Sequence, residues 1–299
     1  MPFVRPSPFR DAFLIAAAFL AVTSSARTAS AQACCAGAAA LGTGRLVLHE
    51  EALIGLDLRA TDVIGSFAAD AQYRSAKATQ VELEQGIFGT LRVLEKGQVT
   101  LRVPFVETFH STRTRSELGG GPGDIAASAR WDFVLAGESL SLPGMGVFAG
   151  VVLPTGRPIE KAEKTLGTDA TGTGATQLSA GFGVEQTFGD LFVGVIGSAV
   201  VRLPREVRGS TTPTTYELAA TAAFGLLLPK EAVVVLSSTF TIEPETPQRM
   251  LRLGLSGALP LDDRWRLQGG PFSDVPIDGI GQNQSVGTGF LLAFVRSWS

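Results

Sequence analysis

The stretch 175-ATQLSAGFGVEQTFGDLFVGVIGSAVVRL-203 decides the fold. Leu178, Ala180, Phe182, Val184 and Phe188 share one parity, while Gln177, Ser179, Gly181, Gly183, Glu185 and Thr187 share the other. A period of two gives a strand with one apolar and one polar face. Gly189-Asp190 is a two-residue hairpin signal, which predicts Phe188 opposite Leu191, Val184 opposite Val195, Phe182 opposite Gly197 and Leu178 opposite Val201. A slip of one residue would mix the faces, so the register is tightly specified.

The same rhythm runs outward in both directions. Apolar alternation recurs over residues 51–61, 81–93, 99–109, 124–135, 145–153, 214–228, 232–242, 249–259, 264–268 and 286–299, separated by Gly, Pro and charged residues. At Glu95-Lys96-Gly97 the faces predict a three-residue loop that sets Val93 against Val99, Leu91 against Leu101, and Ile87 against Phe105. With the central pair, the segments make roughly twelve strands, the even number expected of a single-chain bacterial barrel. The connections near Lys96, Glu138, Gly189, Lys230 and Asp262 are short and most others long. That alternation predicts an all-β, transmembrane, antiparallel up-and-down barrel with both termini on the short-turn, periplasmic side. A secreted sandwich also alternates, but its polar face is wet and rich in Lys and Glu; here that face is mostly Gly, Ser, Thr and Ala with isolated charges.

Composition agrees. The 299 residues are 45% hydrophobic and 18% charged with 35 glycines, which is unusual for a soluble enzyme. Arg5 and Arg10 precede an apolar run at 12–22, and Ala29-Ser30-Ala31 follows, the pattern of a secretory signal ending at residue 31. The run is too short to span a bilayer as a helix. Losing it removes Arg5, Arg10, Arg27 and Asp11 and moves the formal charge from −3 to about −5, which argues against a nucleic-acid partner. Residues 32–50 read as a mobile leader carrying Cys34-Cys35, a vicinal pair that cannot staple distant parts of a fold. A vicinal disulfide, an intermolecular crosslink, soft-metal capture and lipid attachment remain open for it. Residues 51–299 form the barrel.

From about Gln85 onward the chain resembles the transporter-like outer-membrane barrels grouped with the phenol meta-pathway degradation proteins. The residues that carry the resemblance are Gly121-Pro122-Gly123-Asp124, Leu153-Pro154-Thr155-Gly156 and Gly172-Thr173-Gly174. It implies a barrel in the outer membrane of a Gram-negative bacterium that takes up small, often aromatic compounds, and it supplies no catalytic residues. The last strand carries Phe290, Leu292, Phe294 and Trp298 on one parity; by resemblance, such a strand is read by the outer-membrane assembly machinery.

No enzymatic site, cofactor or metal site is expected. The only histidines are His49 and His110. In the expected register His110 lies opposite Glu82, and its neighbour Ser111 points to the other face. Gly119 to Gly123 precedes a strand rather than a helix, so it is a turn and not a phosphate cradle. The functional candidates are the lumen-lining charges Asp57, Arg59, Glu82, Glu84, Arg92, Arg102, Arg130, Asp132, Glu185, Arg202, Glu217, Arg252, Arg264 and Arg266. On a lipid face each mid-membrane arginine would cost about 2–4 kcal/mol, which assigns them inward. Two readings of these charges follow: opposite signs pair and fill the interior, or arginines form a constriction that selects anionic solutes such as aromatic carboxylates. The expected function is a channel or carrier for small solutes. The alternatives are a closed structural or adhesive barrel with partner-binding loops, and an outer-membrane enzyme near His110.

Overall fold

A computed structural model describes residues 44–138 and 142–299; the signal, Cys34-Cys35 and residues 32–43 lie outside the described residues. Sixteen strands run in chain order: β1 (Ala52–Phe67), β2 (Tyr73–Ser75), β3 (Thr79–Leu94), β4 (Gly97–Ser111), β5 (Ser116–Pro122), β6 (Ile125–Val134), β7 (Gly144–Leu153), β8 (Gln177–Phe188), β9 (Leu191–Arg202), β10 (Arg205–Val207), β11 (Ser210–Thr212), β12 (Thr215–Leu227), β13 (Val233–Glu243), β14 (Gln248–Pro260), β15 (Trp265–Asp274) and β16 (Ser285–Trp298). Every neighbour pairing is antiparallel, and β1 pairs with β16 to close a twelve-strand barrel. Closure leaves no strand edge, the condition for spanning lipid with sheet. The short strands β2, β5, β10 and β11 belong to the long connections at one end.

The central hairpin has the expected register, with Phe188 on Leu191, Val184 on Val195, Phe182 on Gly197 and Leu178 on Val201. Gly189 takes φ 60, the left-handed conformation the tight turn demands. The apolar parity points out: Leu56, Ile87, Leu101, Phe182, Phe224 and Leu236 are among the exposed large side chains. In a barrel these meet lipid rather than water.

Several expectations need correction. Gly119 to Pro122, read from sequence as part of a turn, belong to strand β5 and pair with Thr108 to Phe105 of β4. At residues 95–97 the loop has two residues, with Leu94 opposite Gly97, and a β-bulge between Arg92 and Leu94 restores the faces. Leu91 therefore faces Val99, Ile87 faces Val103, and His110 faces Gln80 rather than Glu82. An extra residue in one strand repairs parity as well as a longer loop would. The strand expected to end at Gln268 instead continues through Gly269-Gly270-Pro271 to Asp274. A Cβ at Gly269 would lie 2.1 Å from the Leu291 carbonyl oxygen, and one at Gly270 2.0 Å from that of Leu255. The glycines allow this close backbone approach, and the strand carries on past an apparent stop.

Candidate functional site

The interior divides into two halves along the barrel axis. At the short-turn end it is packed. Phe192, Ala223, Leu227, Val233, Val235 and Ala258 form one buried cluster, and Leu46, Leu53, Phe88, Ala293 and Val295 form another. Leu46 comes from outside the strands. Residues 44–50, grouped by sequence with the leader, enter the lumen and are held by side chains of β3, β4, β6, β8 and β15. Thr90 Oγ1 donates to the Gly44 carbonyl at 2.6 Å, and the Leu46 N–H donates to Gln98 Oε1 at 3.1 Å. Arg92 donates to the carbonyls of Glu50 and Val47, each at 2.9 Å. The Arg45 guanidinium donates to Glu185 at 2.7 Å through Nη1, with a second bond through Nη2. Arg266 donates to Glu50 at 2.5 Å. Arg130 and Asp132 pair at 2.7 Å beside Arg45. A buried charge is tolerated only when it is paired and hydrogen-bonded, and each of these is. Gly146 leaves room for the last pair: a Cβ there would lie 2.4 Å from Asp132 Oδ1.

The long-loop half is polar and contains space. Arg102 is shared by Asp57 and Glu84, with contacts of 2.5 Å to each. Gly86 makes that possible, because a Cβ would lie 2.6 Å from Asp57 Oδ2. Arg202 is shared by Glu217 at 2.6 Å and Glu243 at 2.5 Å. Arg252 pairs with Asp274 at 2.7 Å. The guanidiniums of Arg59 and Arg252 lie 5.1 and 4.9 Å from the centre of the Phe272 ring. A cavity of about 200 Å³ is lined by Asp57, Arg59, Glu84, Arg102 and Leu291. A larger one of about 330 Å³ at the mouth is lined by Arg74, Lys77, Gln80, His110 and neighbouring residues. Ser111 bonds to Ser116 at 2.7 Å.

Of the charges assigned inward from sequence, Arg92, Arg130, Asp132, Glu185 and Arg266 serve the packed half. Asp57, Arg59, Glu82, Glu84, Arg102, Arg202, Glu217 and Arg252 belong to the open half. Arg264 is a correction: it is exposed in the turn ahead of β15, because the strand begins one residue after it. Arg45, Glu50, Glu243 and Asp274 were missed. Inward parity could have found Glu243 and, once the Gly-Gly step is allowed, Asp274. Nothing in a strand rhythm marks Arg45 or Glu50. In the open half, four arginines face six carboxylates and three of the four are paired, so these distances match mutual neutralisation better than a ring of free arginines.

The motifs that carried the family resemblance meet in one knot at the long-loop end. The Asp124 carboxylate accepts from the N–H groups of Gly156 at 2.8 Å and Thr173 at 2.7 Å, and from the Thr173 hydroxyl at 3.0 Å. Thr155 Oγ1 donates to the Gly123 carbonyl at 2.8 Å. A Cβ on Gly172 would lie 2.4 Å from Asp124 Oδ1. Beyond the knot, Asp169 accepts from the N–H of Glu163 and Lys164 and from Arg157 at 2.6 Å. Chiefly the Glu163 N–H, with the Arg157 guanidinium and the Lys164 N–H, holds its carboxyl down to about 2.

No protein-family model matches the chain, and no curated protein matches it. Solved structures do. The COG4313 outer membrane channel from Pseudomonas putida F1 is similar at 12% identity with a TM-score of 0.67, covering 84% of this chain and 97% of that one. The translocator domain of the autotransporter NalP from Neisseria meningitidis matches at 12% identity and 0.51, covering 83% and 88%. The transport unit of the autotransporter AIDA-I from Escherichia coli matches at 10% and 0.50, covering 88% and 95%. The shared feature is the fold, that of an outer-membrane β-barrel.

Proposed function

We propose that the chain is an outer-membrane channel for small solutes, held shut in this conformation by its own residues 44–50. The observation that carries the reading is the division of the lumen. One half has polar walls and cavities open to small molecules. The other is filled partly by a segment that belongs to no strand and that can leave without unzipping the sheet. A barrel built only to be rigid needs no such separable filler. In this reading the short turns face the periplasm, as in single-chain bacterial barrels. Both termini then lie there, residues 1–31 direct export, and β16 engages the assembly machinery. The paired charges of the open half suit small solutes of low net charge. The cavity of about 200 Å³ is of single-ring size, in line with the resemblance to barrels that take up aromatic compounds. The likeness to the COG4313 channel supports the general class.

The test is conductance in planar bilayers of the intact barrel and of a variant lacking residues 44–50. Low conductance that rises sharply on deletion is the expected result. Silence from both, with no solute flux into liposomes, would defeat it. The tight packing of the short-turn half favours a second reading, a permanently closed scaffold whose long loops engage a partner, and that reading predicts the silent result.

A further inference from the structure

We infer that the outer wall at the short-turn rim holds a phospholipid headgroup, gripped by Arg296 between Trp265 and Trp298. Arg296 sits on the apolar, lipid-facing parity of β16, in line with Phe290 and Phe294, which are exposed. It is directly opposite Trp265 on β15 and Ile54 on β1, at the seam where the barrel closes. Its guanidinium lies 5.4 Å from the centre of the Trp265 ring and 5.0 Å from that of Trp298. Trp265 is in turn stacked on Phe294 with ring centres 4.5 Å apart. The two indoles therefore strip water from the cation without neutralising it. Among the described residues Arg296 has no ion pair, and its Nε is buried with no hydrogen-bond partner. Neither indole N–H donates to any described residue. Asp262, in the turn ahead of β15, accepts through Oδ1 from the N–H groups of Arg264 and Trp265, both at 2.8 Å, and forms no ion pair with Arg296, while Glu51 lies 3.9 Å from Arg92.

A guanidinium on a lipid-facing wall, flanked by indoles at the end of its strand, is placed at interfacial depth. The anion that this layer supplies in quantity is the phosphodiester. It can accept from the guanidinium fork and from one or both indole N–H groups, while the acyl chains run along Phe294 and Phe290. The choice of a phospholipid rests on the reading that the short turns face the periplasm, where the leaflet is phospholipid.

The experiment is native mass spectrometry of the full chain refolded in non-ionic detergent, with phosphatidylglycerol, phosphatidylethanolamine, lipid A or a phosphate-free galactolipid added in turn. The expected result is retention of the two phospholipids over the galactolipid. Arg296→Gln should lower that retention about tenfold, the loss of one charge-assisted contact. Trp265→Phe keeps an aromatic face, though a smaller one, and removes an N–H, and should lower it less. Arg208→Gln, at a remote loop, should leave it unchanged. Folding of each variant is verified by heat-modifiable gel mobility. Equal retention by Arg296→Gln and the parent, or of galactolipid and phospholipid, would overturn the site. Preferential retention of lipid A would overturn the phospholipid assignment and the orientation, while leaving the conductance test of the channel untouched.

Discussion

The two halves of the lumen use the same strands and the same inward parity, yet they solve the problem of an enclosed interior differently. The short-turn half is dry. Val235, Ala293 and Val295 have no exposed surface, and its charges are bonded to a segment threaded in from outside the sheet. The long-loop half encloses a cavity of about 200 Å³ and holds its carboxylates, Asp57, Glu243 and Asp274 among them buried, with arginines. A buried ion pair is weak evidence of stability on its own but costly to break. Arg45–Glu185 and Glu50–Arg266 therefore act less as glue than as a register that accepts one insert in one position.

If that contrast is right, the halves should respond differently to equivalent damage. The largest effect is expected from Glu185→Ala, which takes from the buried Arg45 the carboxylate that both its Nη groups bond, leaving Asp132 3.9 Å away. It should destabilise the closed arrangement by about 3–5 kcal/mol, seen as raised conductance and faster proteolysis within residues 44–50. Phe192→Ala, in the apolar cluster, should lower the urea midpoint by the equivalent of about 3 kcal/mol while leaving the ion pairs in place. An unchanged midpoint would mean that the cluster is looser than its burial implies. In the open half, Arg102→Gln should cost about 1–3 kcal/mol, because Glu84 stays partly exposed and the cavity borders Asp57, although the Asp57 side chain itself is only 2 % exposed. Its main signature should be a reversal potential shifted toward cation selectivity as Asp57 and Glu84 are unmasked.

The smallest effect concerns the outer loops. The Asp169 carboxyl is held below its ordinary value, at about 2. The native loop thus binds a proton less readily than the unfolded loop does, and the carboxylate's contribution is fully present above about pH 4. It is lost as pH falls through about 2. Hydrogen exchange across residues 157–171 should accelerate over that interval while the strands stay protected, and Asp169→Asn should show the faster exchange already at neutral pH.

Much of this was legible in the sequence, and the exceptions share a cause. The register of the central hairpin follows from face matching alone, because a slip would put Phe182 inside and Glu185 into lipid. The same matching chose the wrong loop at residues 95–97. A bulge satisfies face matching equally well, and parity cannot distinguish the two. Gly269-Gly270-Pro271 reads as a stop by composition, and only the proximity of the Leu291 and Leu255 backbones shows why a strand needs glycine there. Phe272 and Asp274 were lost from the candidate site with that strand end. Arg264 failed for the reverse reason, since parity was extended one residue past the strand.

The sequence by itself determined the barrel, its even strand number and the alternation of inward and outward side chains. All of these follow from a backbone that alternates its side chains and from a lipid that excludes arginine. Only the tertiary structure decided that residues 44–50 pack inside one end, that Asp124 ties three separate motifs into one knot, and which acid each arginine takes. Those contacts join positions as far apart as Arg45 and Glu185 or Glu50 and Arg266. Local periodicity carries no information about separations of that length, and the closed cylinder brings them together.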